Sequence, residues 1–252
     1  MRLLLVRHGE TDWNAERRIQ GVTDVPLNDT GRRQALRLRR RLAGLAIDAV
    51  YTSDLCRSLE TARIVVGSHP FPARPGAARS RDRAVRAAEN GPTPAEDGPT
   101  PAEDGPTPAE DGPTPAARPP VPLRSTAALR EIRFGRWEGF TWAELEAAGH
   151  GPWLAAWLSG QPCAAPGGGE TREEADARMD HFLSSMFPRH ADDTVLVVSH
   201  GGALRLLIAR LLGEPVRGWG RVRLANAALT EVVIHAGGPV RFTRINDVSH
   251  LQ

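Results

Sequence analysis

The sequence predicts an α/β chain: a three-layer α/β/α sandwich with a mostly parallel central sheet and a C-terminal hairpin. Three observations predict it. Residues 3–6 and 194–198 are short, continuous apolar runs, the pattern of strands buried on both faces. Between such runs the apolar residues recur at helical spacing, so strands alternate with helices that can cover both faces of a sheet. Two of the runs end in a polar residue, a histidine and a glycine, Arg7-His8-Gly9 and Ser199-His200-Gly201. In an open parallel sheet such carboxyl ends face one crevice, the usual place for a ligand.

Taken in order, residues 1–6 read as the first strand. Asn28, Asp29 and Thr30 offer capping groups ahead of a helix over 34–45, with Ala35, Leu38 and Leu42 on one face. Residues 47–51 read as the second strand, and 57–66 return to helical spacing through Leu59, Ala62 and Val66. Residues 142–158 form two short helices interrupted near 149–152, and Trp153 and Trp157, one turn apart, should share a face. Thr171 and Glu174 make a capping box ahead of the stripe Ala175, Met179, Phe182, Leu183 and Met186. After the strand over 194–198, the residues Leu204, Leu207, Ile208, Leu211 and Leu212 form the next stripe. Residues 227–234 and 240–245 are two strands joined by a turn at 235–239, a hairpin.

The middle of the chain breaks this pattern. The unit Gly-Pro-Thr-Pro-Ala-Glu-Asp starts at Gly91, recurs at Gly98 and Gly105, and begins a fourth, partial copy at Gly112. Two prolines and a glycine in every unit exclude the coiled coil that a seven-residue period suggests. Without large apolar side chains, ordering the repeat would cost entropy with little burial in return. Residues 88–120 therefore read as an extended, acidic, polyproline-biased loop. The expectation is a single domain over 1–252, interrupted by a low-complexity insertion at about 74–120 with acidic repeats over 91–117. All 32 basic residues are arginine, and residues 89–111 hold seven of the 30 acidic residues and no basic one. The rest of the chain thus carries a surplus of nine positive charges, suited to handling anions.

Cys56 and Cys163 supply no metal-ligand set or disulfide scaffold, and the histidines offer no persuasive metal spacing. No metal and no cofactor are expected. Residues 3–6 are too short for a signal-peptide core, and no apolar run reaches membrane-spanning length. A cytoplasmic protein with no membrane partner is expected. Dispersed basic charge, without zinc-ligand spacing or an aromatic RNA-binding signature, argues against nucleic acid.

Four ordered blocks carry the chemistry. They are Arg7-His8-Gly9-Glu10-Thr11, the run from Thr52-Ser53-Asp54 through Arg57-Ser58 to Thr61-Ala62, the run Leu129-Arg130-Glu131 through Gly135 to Glu138-Gly139, and Ser199-His200-Gly201-Gly202. Together they resemble the histidine phosphatase, or phosphoglycerate mutase-like, superfamily. The similarity covers most of residues 1–73 and 121–252, and the repeat has no counterpart in the family pattern. The resemblance implies that His8 accepts the phosphoryl group, with Arg7, Arg57 and His200 around it. It implies Glu131 as proton donor and then general base, Asn14 and Gly201 as further phosphate contacts, and a mechanism that needs no metal. Those roles are chemically coherent: a neutral imidazole is a good nucleophile, and guanidinium groups can hold the equatorial oxygens. Glu10 and Glu138 are rival carboxylates, but the pattern Leu-x-Glu-x-x-x-Gly-x-x-Glu-Gly selects Glu131. Arg205, one turn into the helix after His200, reads as structural.

A mutase must enclose its intermediate, whereas the stretch between Glu131 and His200 is comparatively short and carries Trp142, Trp153 and Trp157. Hydrolysis of a small phosphorylated metabolite is the expectation, with phosphoglycerate mutase-type transfer and a non-catalytic phosphate-binding module as alternatives. Broad phosphatases, α-ribazole phosphatases and phosphatases of glycosylated phosphoglycerate share the pattern, and no residue separates them. The sequence leaves the oligomeric state open.

Overall fold

Strands β1 (Arg2–Arg7), β2 (Ala49–Ser53), β3 (Leu123–Thr126), β4 (Thr194–Ser199), β5 (Leu229–Ile234) and β6 (Val240–Asp247) form one sheet in the order β3-β2-β4-β1-β5-β6. A computed structural model of the chain describes residues 1–67, 121–161, 163–214, 222–235 and 238–252. The first four strands are mutually parallel, while β5 runs antiparallel to β1 and β6 antiparallel to β5. The mostly parallel sheet and the C-terminal hairpin are therefore as predicted, although Ala236 and Gly237 of the turn lie outside the described residues. The register pairs Leu3 with Val195 and Arg7 with Ser199. Both histidines consequently leave the sheet side by side at its carboxyl edge.

Alternation along the strands builds the layers. Leu3, Leu5, Val195 and Val197 face Met179, Phe182 and Leu183 of α6 (Arg172–Met186) and Leu204, Leu207 and Ile208 of α7 (Gly201–Leu211). Leu4, Val6, Val50, Leu196 and Val198 face the other way. They meet Leu38 and Leu42 of α2 (Asp29–Leu42) and Ala62 and Val65 of α3 (Cys56–Val66). Successive side chains point to opposite faces, so a strand covered on both sides reads as an unbroken apolar run.

The caps were legible and some boundaries were not. Asn28 accepts from the Gly31 N–H, so α2 starts five residues before Gln34, and Thr171 and Glu174 form the predicted box. The helical pair over 142–158 is α4 (Trp142–Leu145) and α5 (Gly151–Ser159), joined by a wide turn over Glu146–His150. Strand β3 and the one-turn α1 (Asp12–Ala15) were not foreseen. The described residues up to 67 and from 121 onward belong to one compact unit. The expected insertion at 74–120, its repeats over 91–117 and the extended loop over 88–120 lie outside the described residues. Among the described residues, no helix is long and apolar enough to cross a membrane.

Candidate active site

The His8 backbone N–H donates to the Ser199 carbonyl at 2.9 Å, stitching the end of β1 to the end of β4. Its side chain is buried, and Nδ1 lies 2.6 Å from the Gly9 carbonyl. A carbonyl can only accept, so Nδ1 carries the ring proton and Nε2 presents its lone pair. Burial, then the charges of Arg57 and Arg7, push the His8 pKa well below that of a free histidine. The imidazole is therefore neutral near pH 7. The Gly9 N–H donates to Thr61 Oγ1, which ties the turn after His8 to α3.

Arg57 is fully buried on the first turn of α3. Its Nη1 donates to the Thr23 carbonyl, its Nη2 to the Gly21 carbonyl, and its Nε to His200 Nδ1 at 3.2 Å. Because guanidinium only donates, His200 Nδ1 is an acceptor and the His200 proton sits on Nε2, which faces Ser58 Oγ at 3.3 Å. Burial and the Arg57 charge also hold the His200 pKa well below the usual value. The two imidazoles lie 5.1 Å apart, centre to centre. His200 is not among the pocket-lining residues; it stands behind them, against His8 and Arg57. Arg7 donates from Nη1 to the Leu224 carbonyl, and burial lowers its pKa to about 10 against the opposing pull of Glu131. Arg7 Nε is buried without a hydrogen-bond partner among the described residues.

Glu131 follows β3 on a segment pinned by buried Leu129 and Ile132, and Arg178 of α6 donates to the Ala128 and Arg130 carbonyls on it. The carboxylate accepts from the backbone N–H groups of Gly202, Ala203 and Ile132, each at 2.9 Å. Glycine at 202 permits this approach, since a Cβ there would lie 2.6 Å from Glu131 Oε1. Glu131 thus takes two of the N–H groups that open α7, and the first intrahelical bond runs from the Leu204 N–H to the His200 carbonyl. Gly201, the first residue of α7, lines the pocket. The rival carboxylates are engaged elsewhere. Glu10 accepts from Asn28 Nδ2, and Glu138 accepts from the N–H groups of Val22, Thr23 and Phe134.

These groups line a pocket of about 430 Å³, within the range of small-molecule sites. Arg7, His8, Asn14, Arg57, Glu131 and Gly201 converge at its floor, with Glu131 the sole carboxylate among the described lining residues. Gln20 and Arg205 also line it; sequence reasoning overlooked the first and set the second aside as structural. Helical side chains lean toward their helix N-terminus, which carries Arg205 back over the start of α7. Gln20 sits in a loop with no periodic signal to mark it. Apolar side chains line the pocket as well, Ile19, Phe134, Trp142, Trp157 and Leu158, together with Arg17 and Arg18. Trp153 and Trp157, one turn apart on α5, differ in depth: Trp157 is 1% exposed and Trp153 50%. Trp157 packs edge-on against Phe134 and Trp137 beneath Arg172, whereas Trp153 belongs to the solvent-facing first turn of a nine-residue helix. Among the described residues, no group of three histidine, cysteine or carboxylate side chains is arranged to hold a metal ion.

The chain is similar to known proteins in sequence and fold. The chain is 32% identical over 256 residues to the probable phosphoglycerate mutase GpmB of Klebsiella pneumoniae, covering 100% of this chain and 95% of the relative. Among solved structures, Bacillus stearothermophilus YhfR superposes with a TM-score of 0.71 at 30% identity, covering 100% of this chain and 99% of that one. The α-ribazole phosphatase of Shigella flexneri gives 0.70 at 25%, covering 98% and 96%. The sequence profile of the histidine phosphatase superfamily (branch 1) matches residues 3–78 and 114–248, on either side of the repeat. With that match spanning most of the chain and all four blocks, the protein belongs to the histidine phosphatase superfamily, as an enzyme of phosphohistidine-type phosphoryl transfer on small phosphorylated metabolites.

Proposed function

We propose that the chain is a phosphomonoesterase that hydrolyses a small phosphorylated metabolite in two steps through a phosphohistidine on His8. The observation that carries this reading is the His8 tautomer: with Nδ1 donating to Gly9, the unprotonated Nε2 belongs to a pocket whose floor is cationic. In the first step Nε2 bonds to phosphorus as the bond to the leaving oxygen breaks, and Glu131 gives that oxygen its proton. In the second, Glu131 takes a proton from water as the water oxygen bonds to phosphorus and the phosphorus–nitrogen bond breaks. Phosphate leaves, and Glu131 is protonated again for the next cycle. Arg7, Arg57, Asn14 and the Gly201 N–H are the donors for the phosphoryl oxygens, with the buried Arg7 Nε a ready partner. His200 fixes Arg57 and packs against His8. Neither step draws on a metal ion or organic cofactor.

The mouth of the pocket favours water as the second acceptor. Two of its lining residues, Trp142 and Leu158, are 39% and 65% exposed, which supports access of water to the pocket. The name of the Klebsiella relative favours a second reading, in which the same phosphohistidine returns its phosphoryl group to a phosphoglycerate. Product analysis separates the two: with 3-phosphoglycerate and 2,3-bisphosphoglycerate supplied, phosphate release should outpace isomerisation, and the reverse ranking would establish the mutase.

The nucleophile has its own test. Stopping turnover of a radiolabelled phosphomonoester with alkaline denaturant should leave acid-labile label on the protein. His8→Ala should remove the label and lower kcat/KM by at least about a thousandfold. Label retained in that variant would sink the assignment.

A further inference from the structure

We propose that Asn226 is a positioning residue for phosphoryl transfer. Its single side-chain amide, bonded to the carbonyls of His8 and Gly9 and to Asn14 Oδ1, decides which end of Asn14 faces the pocket and braces the carbonyl that holds the His8 proton. Asn226 Nδ2 lies 3.1 Å from the His8 carbonyl, 3.2 Å from the Gly9 carbonyl and 2.9 Å from Asn14 Oδ1. All three partners are oxygens, so the amide cannot turn over: its own oxygen would then face two carbonyls.

The polarity is passed on. Asn14 Oδ1 accepts from Asn226 Nδ2 and also from the Thr11 N–H at 3.2 Å. Both donors hold the oxygen end of the Asn14 amide, leaving Nδ2 with its two hydrogens as the end for the pocket that Asn14 lines. An anion needs a donor there, and a reversed Asn14 would offer it an oxygen instead. The Gly9 carbonyl, shared between His8 Nδ1 and Asn226 Nδ2, is fixed by the same amide. The turn that carries Asn226 is itself anchored to β1. Ala227 adopts a left-handed φ of 55° while its N–H reaches the Arg7 and His8 carbonyls at 3.0 and 3.2 Å. A non-glycine residue holds that conformation only where its surroundings fix it.

The proposal rests on the reading of His8 as phosphoryl acceptor and of Asn14 as a phosphate donor. Asn226→Ala removes the brace, and the isosteric Asn226→Asp turns Asn14 over by accepting from its Nδ2. Removing a donor to an anion costs about tenfold in affinity. We expect the inhibition constant of inorganic phosphate to rise about tenfold in Asn226→Ala and further in Asn226→Asp, with kcat falling as well. In an Asn14→Ala background the phosphate penalty should shrink to within about twofold, because the two residues act as one unit. Full additivity of the two phosphate penalties, or single variants within about twofold of the wild type, would overturn the proposal. The wild-type enzyme gives an arm independent of variant folding: its Asn14 side-chain amide protons should shift on titration with inorganic phosphate, and unmoved signals count against the proposal. Measuring phosphate affinity directly by calorimetry, with the Asn226 and Asn14 substitutions made in His8→Ala, separates the two readings, since turnover retained in His8→Ala refutes the nucleophile and leaves the Asn14–Asn226 coupling to be judged on affinity alone.

Discussion

His8 and His200 share one buried, cationic field, and it gives their titration a definite sign. Burial and the Arg57 and Arg7 charges hold both pKa values well below 6.5, so the folded pair stays neutral where an unfolded chain takes up protons. Between the folded values and 6.5 the unfolded state binds more protons, and stability rises with pH across that window. The contribution is complete above the unfolded pKa and is lost as pH falls toward the folded one, by up to about 1.4 kcal/mol per pH unit for each histidine. Denaturant midpoints should therefore drop between about pH 7 and about pH 5, and less steeply in His200→Asn, which removes one of the two groups. Equal slopes in wild type and variant would mean that His200 protonates freely in the folded protein. In the proposed mechanism catalysis follows the same logic, because His8, as nucleophile, is unprotonated without a base to deprotonate it. The acid limb of kcat/KM should lie well below pH 6.5, and a limb at the value of free histidine would contradict the buried, Arg-flanked His8.

The loop between α1 and α2 shows how elements far apart in sequence set the pocket floor. Arg57 of α3 holds the carbonyls of Gly21 and Thr23, while Glu138 holds the N–H groups of Val22 and Thr23, so the loop is gripped on both polar edges. Gly21 permits the grip: its φ is +53°, and a Cβ there would fall 2.1 Å from Glu138 Oε1. Gly21→Ala should destabilise the fold by about 1–3 kcal/mol and raise KM, since the loop that lines the pocket must shift to admit the methyl group. An unchanged denaturant midpoint with an unchanged KM would show that the loop is not clamped. This arrangement also marks the limit of what the sequence discloses. His8 and His200 were legible because each ends an unbroken apolar run in polar residues and glycine, a pattern that a sheet core imposes. Glu131 was legible through its block, but the capture of its carboxylate by the first turn of α7 depends on tertiary approach and leaves no local sign. Strand β3 escaped notice because its four residues lie at a sheet edge, mostly exposed or half-buried and without an apolar run. Gln20 and Asn226 sit in irregular segments, where a polar side chain has no periodicity to betray it. Trp153 and Trp157 show that an i,i+4 spacing fixes a shared direction only; depth in the core is set by what the helix packs against.

At the scale of the whole molecule, all six described strands lie outside the acidic repeat. Strands β2 and β3 pair in parallel from Val50 with Leu123 to Ser53 with Thr126, and a parallel pair needs a crossover of about a dozen residues. Helix α3, with its 11 residues, already provides one, so the chain between Gly67 and Val121 is far longer than closure requires. The family match likewise passes from residue 78 to residue 114. Even if that connection behaved as a free coil, halving it would change the closure entropy by only about 0.6 kcal/mol. Replacing residues 88–117 with a short glycine-serine linker should therefore keep the melting temperature within a few degrees and kcat/KM within about twofold. The electrostatics should change more than the fold does. The excised stretch holds seven acidic and no basic residues, and its loss moves the formal charge from +2 to +9. A more positive body draws anions from further away, so the shortened enzyme should bind a polyanion column more tightly and show a steeper loss of kcat/KM with added salt. A shortened chain that fails to fold or to turn over would assign the segment a structural or catalytic part. One that folds, turns over and shows the wild-type salt response would mean that the repeat does not offset the arginine surplus at the site.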